Sequence, residues 1–408
     1  MFAPHRLLPH WRACCALLLA CTAAVAGAQE TAPPPTLAQA LDAAWALSPA
    51  ARALANRQVE FDARKRASES WLASPPSLTL SQRSDRPTHN QGLREHEAEL
   101  GLPLWRPGVR SASATRVGAE RAAFDAQQQT ARLKLASELR ELVASGEQAA
   151  LERTLAARRL EEARTLSRDV ERRVRSGDTA RVDLLQTQAL ERQAAVQQTQ
   201  ADNALAQLLG QWRTLTGLAQ LPHASETPGT ASPEHPLAAA RLADVQAAQS
   251  RLALADADRS DPLELGIGVS RERAVFGDPA QNALRLSLRI PFGGDSRNAS
   301  RLAAARAELD AAQAELDATQ RQLQNDIAGA RGSLAAAQQA QALAAERVAL
   351  STEAQALFVK AYQLAESDLP TRLRADNDRF DAELALARAR SEVQRATARL
   401  NQALGLLP

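Results

Sequence analysis

Apolar residues recur at helical spacing over most of the chain, and a pair of short alternating stretches breaks that rhythm in each half. Leu302, Leu309, Leu316 and Leu323 repeat every seven residues, as do Leu386, Val393 and Leu400. Leu205, Leu208, Trp212 and Leu215 follow a three–four–three spacing. Sevenfold spacing keeps one stripe of a helix against its neighbours, the packing of a coiled coil. The pattern predicts in each half a helix of about 25 residues (49–73, then 236–259), one of about 68 (107–174, then 296–363) and one of about 38 (179–216, then 366–404). The longest would span about 100 Å at 1.5 Å per residue, more than one globular domain needs. Stacked end to end, the two shorter helices match the long one.

Between the first and second helix of each half the period changes to two. Leu263, Leu265, Ile267 and Val269 alternate with Glu264, Gly266 and Gly268, and Leu284, Leu286, Leu288 and Ile290 alternate with Arg285, Ser287 and Arg289. The first half carries "SLTLS" at 77–81 and a weaker alternation over 95–104. Period two with one apolar face predicts two hairpins, at about 76–104 and 262–292. An amphipathic hairpin of a water-soluble protein has the same pattern. Here the hairpins interrupt very long helices, so little in the chain can cover their apolar faces, and the loops at about 83–94 and 271–283 are polar. A lipid-facing barrel wall is the reading that follows.

The order helix, hairpin, long helix, helix occurs twice. Pro103 maps onto Pro291, Gly177 onto Ala365 and Gly217 onto Gly405, each 188 residues on. Ser48-Pro49 finds His235-Pro236 at 187. This predicts a tandem duplication, with repeats over 29–220 and 236–408 and a Pro/Ser/Thr/Gly-rich linker over 221–235. Each long helix ends in a tip, "RVRSGDTARVDLL" at 173–185 and "AYQLAESDLPTRL" at 361–373. Gly177 suits the left-handed position that ends a helix, Asp178 or Thr179 suits a cap for the next, and Ser367 or Asp368 with Pro370 does so at the second tip. The strands lie at one end of the helices, so the tips lie at the other, where the chain reverses.

Composition agrees with long helices. Apolar residues make up 45% of the 408, much of it Ala, with aromatics only 3% and one Met. Ala has the highest helix propensity and lets helices approach closely. Residues 1–28 read as a secretory signal peptide: Arg6 and Arg12, an apolar run from Ala13 to Val25, then Ala26-Gly27-Ala28 before Gln29. "LLAC" at 18–21 also resembles a lipobox, which would make Cys21 an acylated first residue, so both forms of processing stay open. All three cysteines lie in this segment, and its removal takes the formal charge from +2 to zero. No charge bias remains that would suggest nucleic acid.

Four strands cannot close a barrel, and lipid does not tolerate open edges. Three copies would give about twelve strands, the smallest closed assembly with an open bore. The duplicated plan, the "SGDTARVDLL" tip and the "LPLW"/"IPFG" hairpin exits together resemble the TolC family of outer-membrane efflux proteins, over about residues 36–406. The resemblance implies a mainly α fold with β, a homotrimeric α-barrel/β-barrel duct with four barrel strands per chain. It implies a periplasmic adaptor (membrane fusion) protein at the tips, an inner-membrane pump of the RND type beyond it, and outer-membrane lipid around the barrel. Gly177, Asp178, Ala365 and Glu366 would form the adaptor-docking tips. Members usually have Gly at both, so Ala365 raises the expectation of a second tip that turns differently. Many members narrow the tube with carboxylates just beyond the second tip. The matching Thr371 and Arg374 are not acidic, and Asp376 and Asp378 lie a turn further on. Arg374, Asp376 and Asp378 are therefore the candidate gate, beside the plain reading of solvated helix charges.

The cargo of such a duct would be drugs or heavy-metal cations, the compact length resembling the heavy-metal (CzcC-like) branch. The alternatives are an outer-membrane component of type I protein secretion and a structural periplasmic coiled coil. No H-E-x-x-H, G-x-S-x-G, phosphate loop or dinucleotide fingerprint occurs, and Glu161-Glu162 sits in charge-rich helix, so no enzyme and no cofactor is expected. His89, His96, His223 and His235 lack the helical i, i+4 pairing and cysteine partners of a metal site, so no metal centre is expected either.

Overall fold

The computed structural model describes residues 34–223, 226–230, 234–293 and 295–408. The expected signal peptide, with Cys21, lies outside the described residues. Helix α1 (Leu37–Leu47) is followed by α2 (Pro49–Glu69), strands β1 (Ser77–Ser84) and β2 (Arg94–Leu104), the long α3 (Val109–Ser176) and α4 (Arg181–Thr216). The second half runs α5 (Pro236–Ala257), β3 (Leu263–Arg273), β4 (Gln281–Arg289), the long α6 (Asp295–Gln363) and α7 (Leu369–Ala403).

Helix α1 precedes the first predicted helix and was not expected from the pattern. Thr36 and Gln39 form a reciprocal capping box that starts α1. Ser48 ends α1 and starts α2: its Oγ donates to the Trp45 carbonyl (2.7 Å) and accepts from the Ala51 amide (3.2 Å), with Pro49 in the first turn. Helix α2 stops at Glu69, short of residue 73, because the chain turns there to pair Leu72 with Leu104 at the foot of the sheet.

The helices lie in four columns. Helix α3, 68 residues long, packs against α2 and α4 on one flank and against α5 and α7 on the other, and the 69-residue α6 packs against α5 and α7. The short helices thus stack end to end beside the long ones. Much of the buried surface is Ala, as at Ala123, Ala243 and Ala247 where α3 meets α5. One core cluster lies where α1, α3 and the end of α4 converge, around Leu41, Leu139, Val143 and the fully buried Trp212. The Trp212 indole N–H donates to the Gln220 carbonyl at 2.9 Å, which satisfies its one polar atom.

The linker is fastened to the helices. Arg140, almost fully buried, donates to both oxygens of Glu226 (2.8–3.0 Å) and to Gln402 Oε1 (2.9 Å). Asn401 donates to the Thr227 carbonyl (3.0 Å) and accepts from the Gly229 amide (2.9 Å). A buried ion pair held by several hydrogen bonds is costly to break from one side.

The two hairpins form one antiparallel sheet in the order β1-β2-β3-β4. The join is β2 with β3, in register from Leu104↔Leu263 to Arg94↔Arg273. Ile290 lies one residue beyond the end of β4.

Candidate functional site

Residues directly opposite in neighbouring strands share a face. The register builds straight rows across the sheet: Leu80, Ala98, Val269 and Leu284; then Leu78, Leu100, Ile267 and Leu286; then Leu102, Leu265 and Leu288. Leu263 continues the same face beside Leu104. Nothing among the described residues covers this face at its centre, and Leu284 and Leu286 are 77% and 72% exposed. Ile290 and Phe292 extend it toward the helices, where Trp71 is also exposed. From Leu284 to Phe292 the alternation covers about 26 Å of extended chain, roughly 20 Å once tilted as barrel strands are.

The opposite face is charged and internally paired. Arg285 bonds Glu97, Arg289 pairs with Glu264 (3.3 Å), and the Ser287 hydroxyl donates to Glu99 (2.8 Å). Gly266 and Gly268 leave room for the Glu99 side chain; a Cβ on Gly266 would collide with its carboxylate.

At the other end the two tips make one turn. Gly177 has φ +84° and Ala365 φ +57°, both left-handed. The amide of Gly177 donates to Val174 O (3.1 Å) and that of Asp178 to Arg173 O (2.8 Å). Ala365 donates to Tyr362 O (3.2 Å) and Glu366 to Ala361 O (2.9 Å), the same two bonds 188 residues later. The expectation of a differently turned second tip is therefore corrected: Ala365 accepts the strained conformation because both flanking helices demand it. All four tip residues are exposed. The caps differ. Asp368 accepts from the Thr371 amide (3.0 Å) and caps α7. Asp178 instead accepts from the Ser176 hydroxyl (2.7 Å), so the N-cap of α4 is Ala180, which offers no side-chain cap, and not Asp178 or Thr179.

The three gate candidates do not form one cluster. Arg374 and Asp378 are exposed and one turn apart, while Asp376 turns toward α6, where it accepts from Gln355 (2.7 Å) and lies 3.7 Å from Arg372. Around them is a network the sequence did not reveal. The single tyrosine, Tyr362, is buried with the guanidinium groups of Arg173 (5.1 Å) and Arg372 (5.0 Å) over its ring. Burial pushes its hydroxyl up, against the opposing pull of both arginines. Arg159 lies over Phe380 (4.1 Å) and donates to Asn377 (2.8 Å). Burial lowers its pKa, opposed by Asp381 and Glu162. These contacts tie α3 to α6 and α7 beside a cavity of about 570 Å³. The one available sequence signal was the place of the only tyrosine, 188 residues after Val174.

No group of His, Cys, Asp and Glu able to hold a metal occurs among the described residues. His235 serves as a cap, its Nδ1 accepting from the Leu237 amide (3.1 Å), and burial lowers its pKa. No helix among the described residues is long and apolar enough to cross a membrane.

No protein-family model and no curated protein sequence matches the chain. Solved structures do. The outer membrane protein VceC from Vibrio cholerae matches with a TM-score of 0.71 at 18% identity, covering 90% of this chain and 96% of its own. CusC, whose structures describe transmembrane channel formation, matches at 0.75 and 16%, covering 91% and 92%. The fold is that of the TolC-like outer-membrane channels. The open state of the MtrE outer membrane channel of Neisseria gonorrhoeae has the same TolC-like fold, at a TM-score of 0.71 and 18% identity, covering 91% of this chain and 89% of its own.

Proposed function

We propose that three copies of this chain form a passive export duct, with a β-barrel in the outer membrane and a helical tube across the periplasm. One observation carries the reading: among the described residues the sheet has an uncovered apolar face while its outer strands, β1 and β4, each keep one free edge. Unpaired backbone groups cost several kcal/mol each in lipid, so further copies must close the sheet. A free helical edge supports this. Leu343, Leu350 and Leu357 recur every seven residues on α6, and Leu364 continues the spacing one residue past its end, each more than half exposed. Such a stripe fits coiled-coil packing against the next copy.

In this reading Leu263, Leu265, Ile267, Val269, Leu284, Leu286, Leu288 and Ile290 face lipid, and the Arg/Glu face lines the bore. Residues 1–28 direct export, with cleavage after Ala28 or acylation at Cys21. Gly177, Asp178, Ala365 and Glu366 dock a periplasmic adaptor that couples the duct to an RND pump, for drugs or heavy-metal cations. Arg374 and Asp378 are the better gate candidates, because Asp376 is held by Gln355. The protein performs no catalysis.

Purified protein should be a detergent-requiring trimer, and a monodisperse water-soluble monomer would overturn the reading. Leu286→Arg should impair insertion by about 2–4 kcal/mol near the midplane, whereas Arg285→Leu should insert normally. Equal insertion of both would reverse the assignment of faces.

A further inference from the structure

The outward face of the sheet does not stay apolar to its distal end. One step beyond the row Leu80–Ala98–Val269–Leu284, the register places Gln82, His96, Arg271 and Asn282 side by side across all four strands. The next row on that face holds Ser84, Arg94 and Arg273. Three arginines and a histidine thus share the face, whose two rows hold no acid; the loop residue Asp85 reaches Arg94 alone. At the same height the opposite face carries Arg83, Glu95, Glu272 and Gln281, so both carboxylates of this segment point the other way. The other border of the apolar band is marked by Trp71 and Phe292 instead.

The cations are unequally engaged. Arg94 is taken up by Asp85 (3.2 Å) and Ser84 (2.9 Å). Arg273 donates to the Gly92 carbonyl (3.3 Å) and lies over Phe276 (5.6 Å). Arg271 is exposed, and its guanidinium has neither an ion pair nor a hydrogen bond among the described residues. Its strand partner Asn282 adds a neutral amide donor beside it, and Gln82 and His96 extend the row.

Resting on the duct reading, we infer that this row binds the phosphate groups of anionic lipid in the distal leaflet of the outer membrane, with Arg271 as the principal contact. A guanidinium presents forked donors that match phosphate oxygens, and amides beside it satisfy the remaining acceptors. The row sits about 6–7 Å beyond the last apolar row, which is headgroup depth. There the arginine stem rests on apolar surface while its charged end leaves the hydrocarbon. Three copies would set the row as a continuous collar around the barrel.

The test reconstitutes the full trimer into phosphatidylcholine vesicles with and without lipid A, a glycolipid bearing phosphomonoesters. Protein is re-extracted in neutral detergent, and retained lipid A is measured by mass spectrometry. Wild type should retain lipid A selectively. Arg271→Gln should retain roughly fivefold less, as expected for one cation removed near a lipid surface. Arg271→Lys should keep part of the retention. Equal retention by wild type and Arg271→Gln, with normal insertion in both vesicles, overturns the inference and leaves the duct reading standing. Failure of wild type to insert in either vesicle overturns both.

Discussion

The two tips share a backbone and differ in side chains. Gly177 and Ala365 hold the same left-handed turn with the same pair of hydrogen bonds. Yet one is glycine and the other carries a Cβ that disfavours this region by about 1–2 kcal/mol. The second tip has compensation that the first lacks. Tyr362 is buried under two arginines and against Leu369, and Asp368 caps the following helix. The corresponding Val174 is only half-buried, and the helix after Gly177 has no side-chain cap. The lesson is that a turn can be set by the elements around it. Where the second tip is pinned by packing, a poor turn residue is tolerated; where the first is pinned less, the turn residue itself matters more.

The largest way to break this contrast is at the packed ring. Tyr362→Ala should destabilise the second tip by about 3–5 kcal/mol, as expected for a buried aromatic. Val174→Ala should cost about 1 kcal/mol. Hydrogen exchange at the two tips would read the difference, and equal effects would show that the tips are held alike.

Next comes the turn residue. A Cβ at Gly177 would meet nothing within 4 Å, so the penalty of Gly177→Val is conformational alone. It should leave the proposed barrel and trimer intact, about 100 Å away. It should abolish efflux and adaptor cross-linking if this turn docks the adaptor. Ala365→Gly should do the opposite on stability, with a gain of under about 1 kcal/mol. Full efflux by Gly177→Val at normal abundance would show that docking lies elsewhere.

The smallest effect is that of pH on the cap. Hydrogen bonds from Thr371, side chain first and then backbone, hold the Asp368 carboxyl below its ordinary value of 3.8. A depressed carboxylate contributes its stabilisation above that value and loses it as the pH falls through the folded pKa. Exchange protection of the first turn of α7 should therefore drop below about pH 4. Asp368→Ala should abolish that pH dependence and Asp178→Ala should leave it unchanged. A pH response that survives Asp368→Ala would assign it to another group.

Much of this fold was legible along the chain because its elements are set by near neighbours. Period seven over Leu302–Leu323 requires only that one helix face meets another helix, and period two over Leu284–Leu288 requires only a pleated strand. The long helices, both hairpins and the position of the first turn follow from such patterns. Helix α1 was missed because Pro49 looked like the first helical start, although the capping box at Thr36 and Gln39 offered a local signal. What the sequence by itself determined is thus the element plan, its duplication and the alternating faces of the strands. Only the tertiary structure decided that Ala365 turns as Gly177 does, that Arg140 grips Glu226 across 86 residues, and that Arg173 and Arg372 lie over Tyr362. Each of these depends on groups brought together by helix packing from distant parts of the chain. Periodicity specifies which face a residue occupies, not which residue from elsewhere will meet it there.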